Sequence, residues 1–96
     1  MTVVILPEAA SDLDNGFVFY EKMGEGVGGY FLGSLASDIR SLRLFGGVHQ
    51  FSGGYFRMVA TRFPYAIYYK VEAAEVRVYA VIDTRRDPER LSGRLN

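Results

Sequence analysis

Tyr55-Phe-Arg-Met-Val-Ala-Thr-Arg-Phe-Pro-Tyr-Ala-Ile-Tyr-Tyr-Lys-Val71 and, after a short break, Glu75-Val-Arg-Val-Tyr-Ala-Val-Ile82 decide how this chain folds. Their side chains alternate, and alternation is the mark of a half-buried strand. The runs Tyr55–Ala60, Pro64–Val71 and Glu75–Ile82 are rich in Val, Ile, Tyr and Phe, which fit a pleated surface. Pro64 stands at a strand start, where a missing donor is tolerated. Glu72–Ala74 is short enough for a hairpin turn, so three consecutive strands are expected.

The alternation assigns faces. In the last run Val76, Val78, Ala80 and Ile82 are expected to share the buried face, leaving Arg77, Tyr79, Val81 and Asp83 on the open one. In the middle run Tyr65, Ile67, Tyr69 and Val71 make the better core set, with Ala66, Tyr68 and Lys70 outward. In the first, Phe56, Met58 and Ala60 face in and Tyr55, Arg57 and Val59 face out. The open face then collects Arg57, Lys70 and Arg77 with Tyr55, Tyr68 and Tyr79, and Arg62, Arg85 and Arg86 lie at strand ends where they could frame it. Long polar side chains and Tyr are ordinary cover for a solvated sheet. Cations interleaved with aromatics also suit an anionic partner, either phosphates and bases or an acidic peptide.

Upstream the period changes. Val3-Val-Ile-Leu6 reads as a strand, and Pro7 suits the first turn of a following helix. Ala10, Leu13, Phe17 and Tyr20 form one apolar stripe at helical spacing, with Glu8, Asp12 and Asp14 toward the electropositive end. Gly24–Gly29 interrupts this stripe. Beyond it Val27, Phe31, Leu35, Ile39 and Leu42 mark a second helix running to about Leu44, stopped by Gly46-Gly47. The order is β-α-α-β-β-β: one α+β domain over residues 1–96, an N-terminal strand and helical hairpin packed on an antiparallel sheet.

Composition narrows the function. The 96 residues suffice for one core, and the absence of Cys excludes disulfides and thiolate metal sites. No apolar run has the length of a membrane span and no signal peptide is evident, so a soluble cytoplasmic protein with no membrane partner is expected. Net charge is zero, yet residues 1–48 hold three bases against six acids and residues 49–96 hold eight bases against five acids. A basic half favours an anionic partner. Gly24–Gly29 fits G-x-G-x-x-G formally, but it follows a helix instead of a strand, and the glycines read better as a tight turn with close helix packing. His49 is the only histidine; it reads as a surface-loop residue or a general base, and lacks the neighbours of a metal site. No cofactor and no metal are expected.

An ordered set of residues then resembles the RelE/ParE superfamily of toxins from type II toxin–antitoxin systems over nearly the whole chain. Its carriers are Leu6-Pro7-Glu8-Ala9-Ala10, Asp12-Leu13, Phe19-Tyr20-Glu21, Phe31, Leu35 through Ile39, Leu42, Gly54-Tyr55-Phe56-Arg57, Arg62 through Tyr69, and Asp83-Thr84-Arg85-Arg86-Asp87-Pro88. The resemblance implies a plasmid-stabilisation or addiction toxin that inhibits growth and is neutralised by a cognate antitoxin with an acidic or amphipathic segment folding on binding. RelE-like members cleave mRNA on the ribosome, which needs a base, an acid and cations on the phosphate. They carry Arg directly after the Tyr of the middle strand and a Tyr or His near the C-terminus. Here Ala66 follows Tyr65, and residues 89–96 hold neither Tyr nor His. Arg57, Arg85 and Arg86 supply charge, and Tyr79, Tyr68 and His49 are the remaining candidates for proton transfer. Phe63-Pro64-Tyr65 and Arg85-Arg86-Asp87-Pro88 resemble the ParE side, whose members bind and poison DNA gyrase. On that side Tyr55, Arg57, Arg62, Tyr68, Lys70, Arg77, Tyr79, Arg85 and Arg86 would contact target or antitoxin. The alternatives are a ribosome-dependent mRNA endonuclease and an inactive homologue that serves as an interaction module.

Overall fold

The computed structural model describes residues 1–86 and 93–95. The elements are β1 (Thr2–Ile5), α1 (Pro7–Glu21), α2 (Val27–Phe45), β2 (Gln50–Ser52), β3 (Tyr55–Val59), β4 (Tyr65–Glu72) and β5 (Glu75–Asp83). They build one five-stranded sheet in the order β1-β5-β4-β3-β2. The α+β order expected from the pattern is the one observed, with two refinements. β1 joins β5 in parallel while the other three pairings are antiparallel. β2 adds a short edge strand, joined to β3 through Gly53 and Gly54 at φ 62° and 89°, the positive values a two-residue hairpin turn requires.

The helical hairpin lies on one face of this sheet. Phe31, Leu35 and Leu42 from α2 meet Ile67, Tyr69, Val76 and Val78, all fully buried. Each such aliphatic or aromatic side chain removed from water contributes about 1.5–3 kcal/mol. The turn between helices is tied by Glu21, whose carboxylate accepts the N–H groups of Gly26 (3.1 Å) and Gly28 (2.9 Å) at the start of α2. A side chain of α1 thus satisfies donors that α2 cannot satisfy itself. A second polar tie holds the β3–β4 connection: buried Asp38 of α2 accepts the backbone N–H of Thr61 at 2.9 Å and its hydroxyl at 2.5 Å.

One feature of β5 overturns part of the expected face assignment. Tyr68 pairs with Ala80, but the next residue, Tyr69, pairs with Val78, so Tyr79 is an extra residue in β5. This β-bulge reverses the alternation beyond it. Val76 and Val78 pack toward the helices as expected, but so does Val81, while Ala80 and Ile82 turn to the open face beside Ala66 and Tyr68. Asp83, two residues past Val81, returns to the helical side as well. β3 and β4 keep the faces their alternation predicts.

The helices approach through two glycines. A Cβ on Gly16 would stand 2.5 Å from the Phe31 ring, and one on Gly28 would stand 2.7 Å from both the ring and the carbonyl oxygen of Phe17. Gly33, by contrast, faces open space on α2. Gly16→Ala is expected to destabilise the fold by up to about 2 kcal/mol, because overpacking of about 1–3 kcal/mol is set against a helix-propensity gain of about 1 kcal/mol. Gly33→Ala is expected to stabilise by about 0.5–1 kcal/mol. Chemical denaturation of both variants checks the pair, and equal effects would remove the close contact as an explanation.

Candidate functional site

The open face of the sheet does bring the expected residues together, but it sets them against one another. Arg57 donates from Nε to Tyr68 Oη at 3.0 Å. Lys70 Nζ lies 4.7 Å from the centre of the Tyr55 ring and 5.4 Å from that of Tyr79, and those two rings meet edge to face. Such cation–π contacts contribute about 0.5–1 kcal/mol each at exposed sites. Arg77, opposite Lys70 in the register, is drawn to the hairpin instead: its Nε donates to Glu75 at 2.7 Å and an Nη lies 3.2 Å from Glu72. These carboxylates, Glu75 first, raise its pKa further.

The middle of the same face is apolar. Ala66 and Ala80 are 1% and 0% exposed, and Tyr68 is buried beside them. Leu95 packs on this cluster with Tyr55 and Ile82, and Tyr55 donates to the Leu95 carbonyl at 3.3 Å. The bulge created this surface by delivering Ala80 and Ile82 to it. Ala66 thus sits beneath other side chains instead of at an open catalytic surface.

The remaining expected residues lie elsewhere. Asp83 accepts from Arg85 at its backbone N–H (2.9 Å), Nε (3.0 Å) and an Nη (2.8 Å), and these contacts hold its carboxyl below the usual range. Arg85 also approaches Tyr20 Oη at 3.5 Å, which places its head at the helical side of the sheet. Arg86 lines a cavity on that side, and Arg62 is exposed in the bend before Phe63. Neither Arg85 nor Arg86 frames the open face. Asp87, Pro88 and residues 89–92 and 96 lie outside the described residues.

The cavity, about 530 Å³, runs between α1 and the upper part of β5 and is walled by Phe19, Gly16, Val81, Tyr65, Arg86 and Arg94, among others. Asp12 closes one end. β1 covers β5 only as far as Val78, and Asp12 Oδ2 accepts the Val81 N–H at 2.9 Å just beyond. Both Asp12 oxygens also accept from Arg94, at 2.8 and 2.9 Å. Glu8 lies 3.2 Å from Arg94 Nε, in ion-pair range but without a hydrogen-bond alignment. The sequence reading missed this clasp because an acid early in a helix already has an explanation in the helix dipole. Tyr65, at the other wall, has its pKa pushed up to about 12, first by burial and then by Tyr20 and Asp83.

His49 is not a free surface residue. Gly47 N–H donates to the buried Tyr69 hydroxyl at 3.0 Å, and His49 Nδ1 stands 2.5 Å from the same oxygen. The imidazole and the phenol share one hydrogen bond, whose donor is set by the histidine tautomer. Its partner is twenty positions away in sequence, and only the folded sheet reveals it. Among the described residues no group of three His, Cys, Asp or Glu could hold a metal ion, and no helix is long and apolar enough to cross a membrane.

No protein-family model and no curated protein matches this chain. Among solved structures, a chain of the chromosomal ParDE toxin–antitoxin system from P. aeruginosa superposes with a TM-score of 0.80 at 16% identity, covering 88% of this chain and 97% of that one. The fold is ParE-like. At this identity the likeness lies in the arrangement of elements, and side-chain roles must be argued from the residues present.

Burial lowers the pKa of His49 from its ordinary 6.5. The unfolded chain therefore binds more protons than the folded one below that value, so the His49 contribution is complete above pH 6.5 and is lost as pH falls through the folded-state value. The denaturation midpoint is expected to drop between about pH 7 and pH 5. His49→Asn, which keeps an acceptor for Tyr69 without titrating, is expected to flatten that slope, and an unchanged slope would show that another group governs it.

Proposed function

We propose that this chain is the toxin of a type II toxin–antitoxin pair, neutralised by a cognate antitoxin and acting in the cytoplasm by binding an essential protein target, with DNA gyrase the target that the family resemblance suggests. Support comes from the ParE-like fold across most of the chain. The observation that carries binding over catalysis is the state of the open face, where Ala66 and Ala80 form an apolar floor on which Leu95 packs. Arg57 and Tyr68 are engaged with each other, and Lys70 is held between two tyrosines. Phosphodiester cleavage needs an acid and a base poised on either side of the phosphate. This face offers a guanidinium and tyrosine hydroxyls, with no carboxylate or imidazole among the described residues that gather there.

The Arg57–Tyr68 hydrogen bond is the one arrangement that favours an RNA-cleaving reading, because a tyrosine beside a cation is a usable proton donor. The two readings separate in one experiment. Expression of the chain alone is expected to arrest growth, with DNA breaks preceding loss of mRNA. Tyr68→Phe is expected to change toxicity less than about twofold, whereas removal of a catalytic group costs roughly 10²–10³ in rate. Codon-positioned mRNA cleavage abolished by Tyr68→Phe would establish the nuclease instead. Normal growth with soluble wild-type protein would leave only the inactive interaction module.

A further inference from the structure

The sheet ends at β2, and no described strand pairs with its outer side. β2 pairs with β3 in the register Gln50↔Arg57, Phe51↔Phe56 and Ser52↔Tyr55. Gly53 and Gly54 close this hairpin with a two-residue turn, so Ser52 and Tyr55 form a hydrogen-bonded pair and the next pair, Phe51 and Phe56, does not. The N–H and C=O of Phe51 therefore point away from β3, toward the free edge. Its ring meets Phe56 edge to face at 4.9 Å, and Phe56 stacks on buried Tyr69 at 5.2 Å. An aromatic row thus runs outward across three strands and stops at Phe51, which is 60% exposed.

The charges along this edge narrow what fits it. Residues 44–56 contain no Asp, Glu, Lys or Arg, and burial lowers the pKa of their one histidine, His49. Exposed edges are ordinarily guarded by a Lys, a Pro or a bulge, and Gln50-Phe51-Ser52 carries none of these; its shortness is its one guard. The charges that bound the run are Arg43 in the last turn of α2 and Arg57 on β3. Arg57 is turned inward along the sheet to Tyr68. A charged segment finds no opposite charge on β2 itself. A strand as neutral and aromatic as β2 meets neither repulsion nor an unpaired ion there.

From this juxtaposition we infer that β2 pairs antiparallel with β2 of a second copy of this chain, about a two-fold axis at Phe51, joining two sheets into one. The Phe51 N–H of each copy donates to the Phe51 C=O of the other, which satisfies the groups that β3 leaves free. The row Tyr69–Phe56–Phe51 then continues in reverse order through the second copy, and aromatic pairs across strands are among the favourable ones. On the opposite face Gln50 of each copy lies across from Ser52 of the other. The two β3 strands that carry Arg57 stay three strand spacings apart, roughly 14 Å, beyond the range at which exposed charges interact at physiological salt. So small an interface makes the pairing weak, with a Kd on the order of 10–100 µM. The inference needs only β2 and β3, and it stands or falls separately from the toxin reading.

Sedimentation equilibrium of the full-length protein from about 5 to about 500 µM tests the inference. A monomer–dimer equilibrium is expected, with the Phe51 amide exchanging its hydrogen more slowly as concentration rises. Charge tests the register. Gln50→Lys/Ser52→Lys sets like charges opposite one another twice across the axis, whereas Gln50→Lys/Ser52→Glu sets opposite charges there. Both positions are exposed, and the first variant is expected to dimerise at least about tenfold more weakly than the second. Exchange at Phe51 in the unmodified protein decides the matter even where a variant fails to fold. The inference is overturned by a protein that stays monomeric throughout the range, which would leave the edge to a different partner. It is overturned equally by a dimer whose Phe51 exchange is independent of concentration, or by equal affinities of the two charge variants.

Discussion

The contact between Asp12 and the bulged edge of β5 is the constraint on which the rest of this molecule depends. β1 ends at Ile5, and its last bond to β5 is the Leu6 N–H donating to Val78 at 3.0 Å. Past that point no described strand pairs with the outer edge of β5, and beside the extra residue Tyr79 the Val81 N–H meets Asp12 of α1. A buried donor left unpaired there would cost about 1–3 kcal/mol. Asp12 supplies the acceptor, and Arg94 supplies the countercharge that allows the carboxylate to sit largely out of water. One side chain therefore fastens helix, sheet edge and C-terminal turn together.

The consequences run in both directions from that contact. On the helical side it leaves Val81 in the core, brings Asp83 round to meet Arg85, and opens the cavity beside Phe19. On the other side it delivers Ala80 and Ile82 to the face where Arg57, Lys70 and the tyrosines lie, and holds Leu95 over them. A surface that alternation alone would make cationic becomes apolar at its middle and cationic at its margins. Such a surface supports docking by area and shape, and its few hydrogen-bonding groups are already satisfied by one another.

Much of this was legible in the residues. The helical stripes through Leu13, Phe17 and Tyr20 and through Phe31, Leu35 and Ile39 mark the two helices because apolar residues recur there at helical spacing between polar ones. β3 and β4 were readable because large side chains alternate with small or charged ones. β5 was not, because Tyr79-Ala80-Val81-Ile82 is apolar on both faces and a one-residue slip leaves no trace in its pattern. β2 escaped notice because Gln50–Ser52 is too short to show a period, though Gly53-Gly54 marked the turn. Asp12 with Val81, His49 with Tyr69, and Phe63 with Tyr20 and Tyr30 are contacts across the fold, and local pattern carries no information about them.

Nuclear Overhauser contacts of the Ala80 methyl group test the central claim most directly, because that methyl lies on opposite faces of the sheet with and without the bulge. The account predicts contacts from Ala80 to Ala66, Tyr68 and Leu95, together with contacts from the Val81 methyls to core residues beneath α1. Contacts from Ala80 to Ile67 or Leu35, with the Val81 methyls on the face of Tyr55, would contradict it. They would restore an open cationic face and with it the case for catalysis.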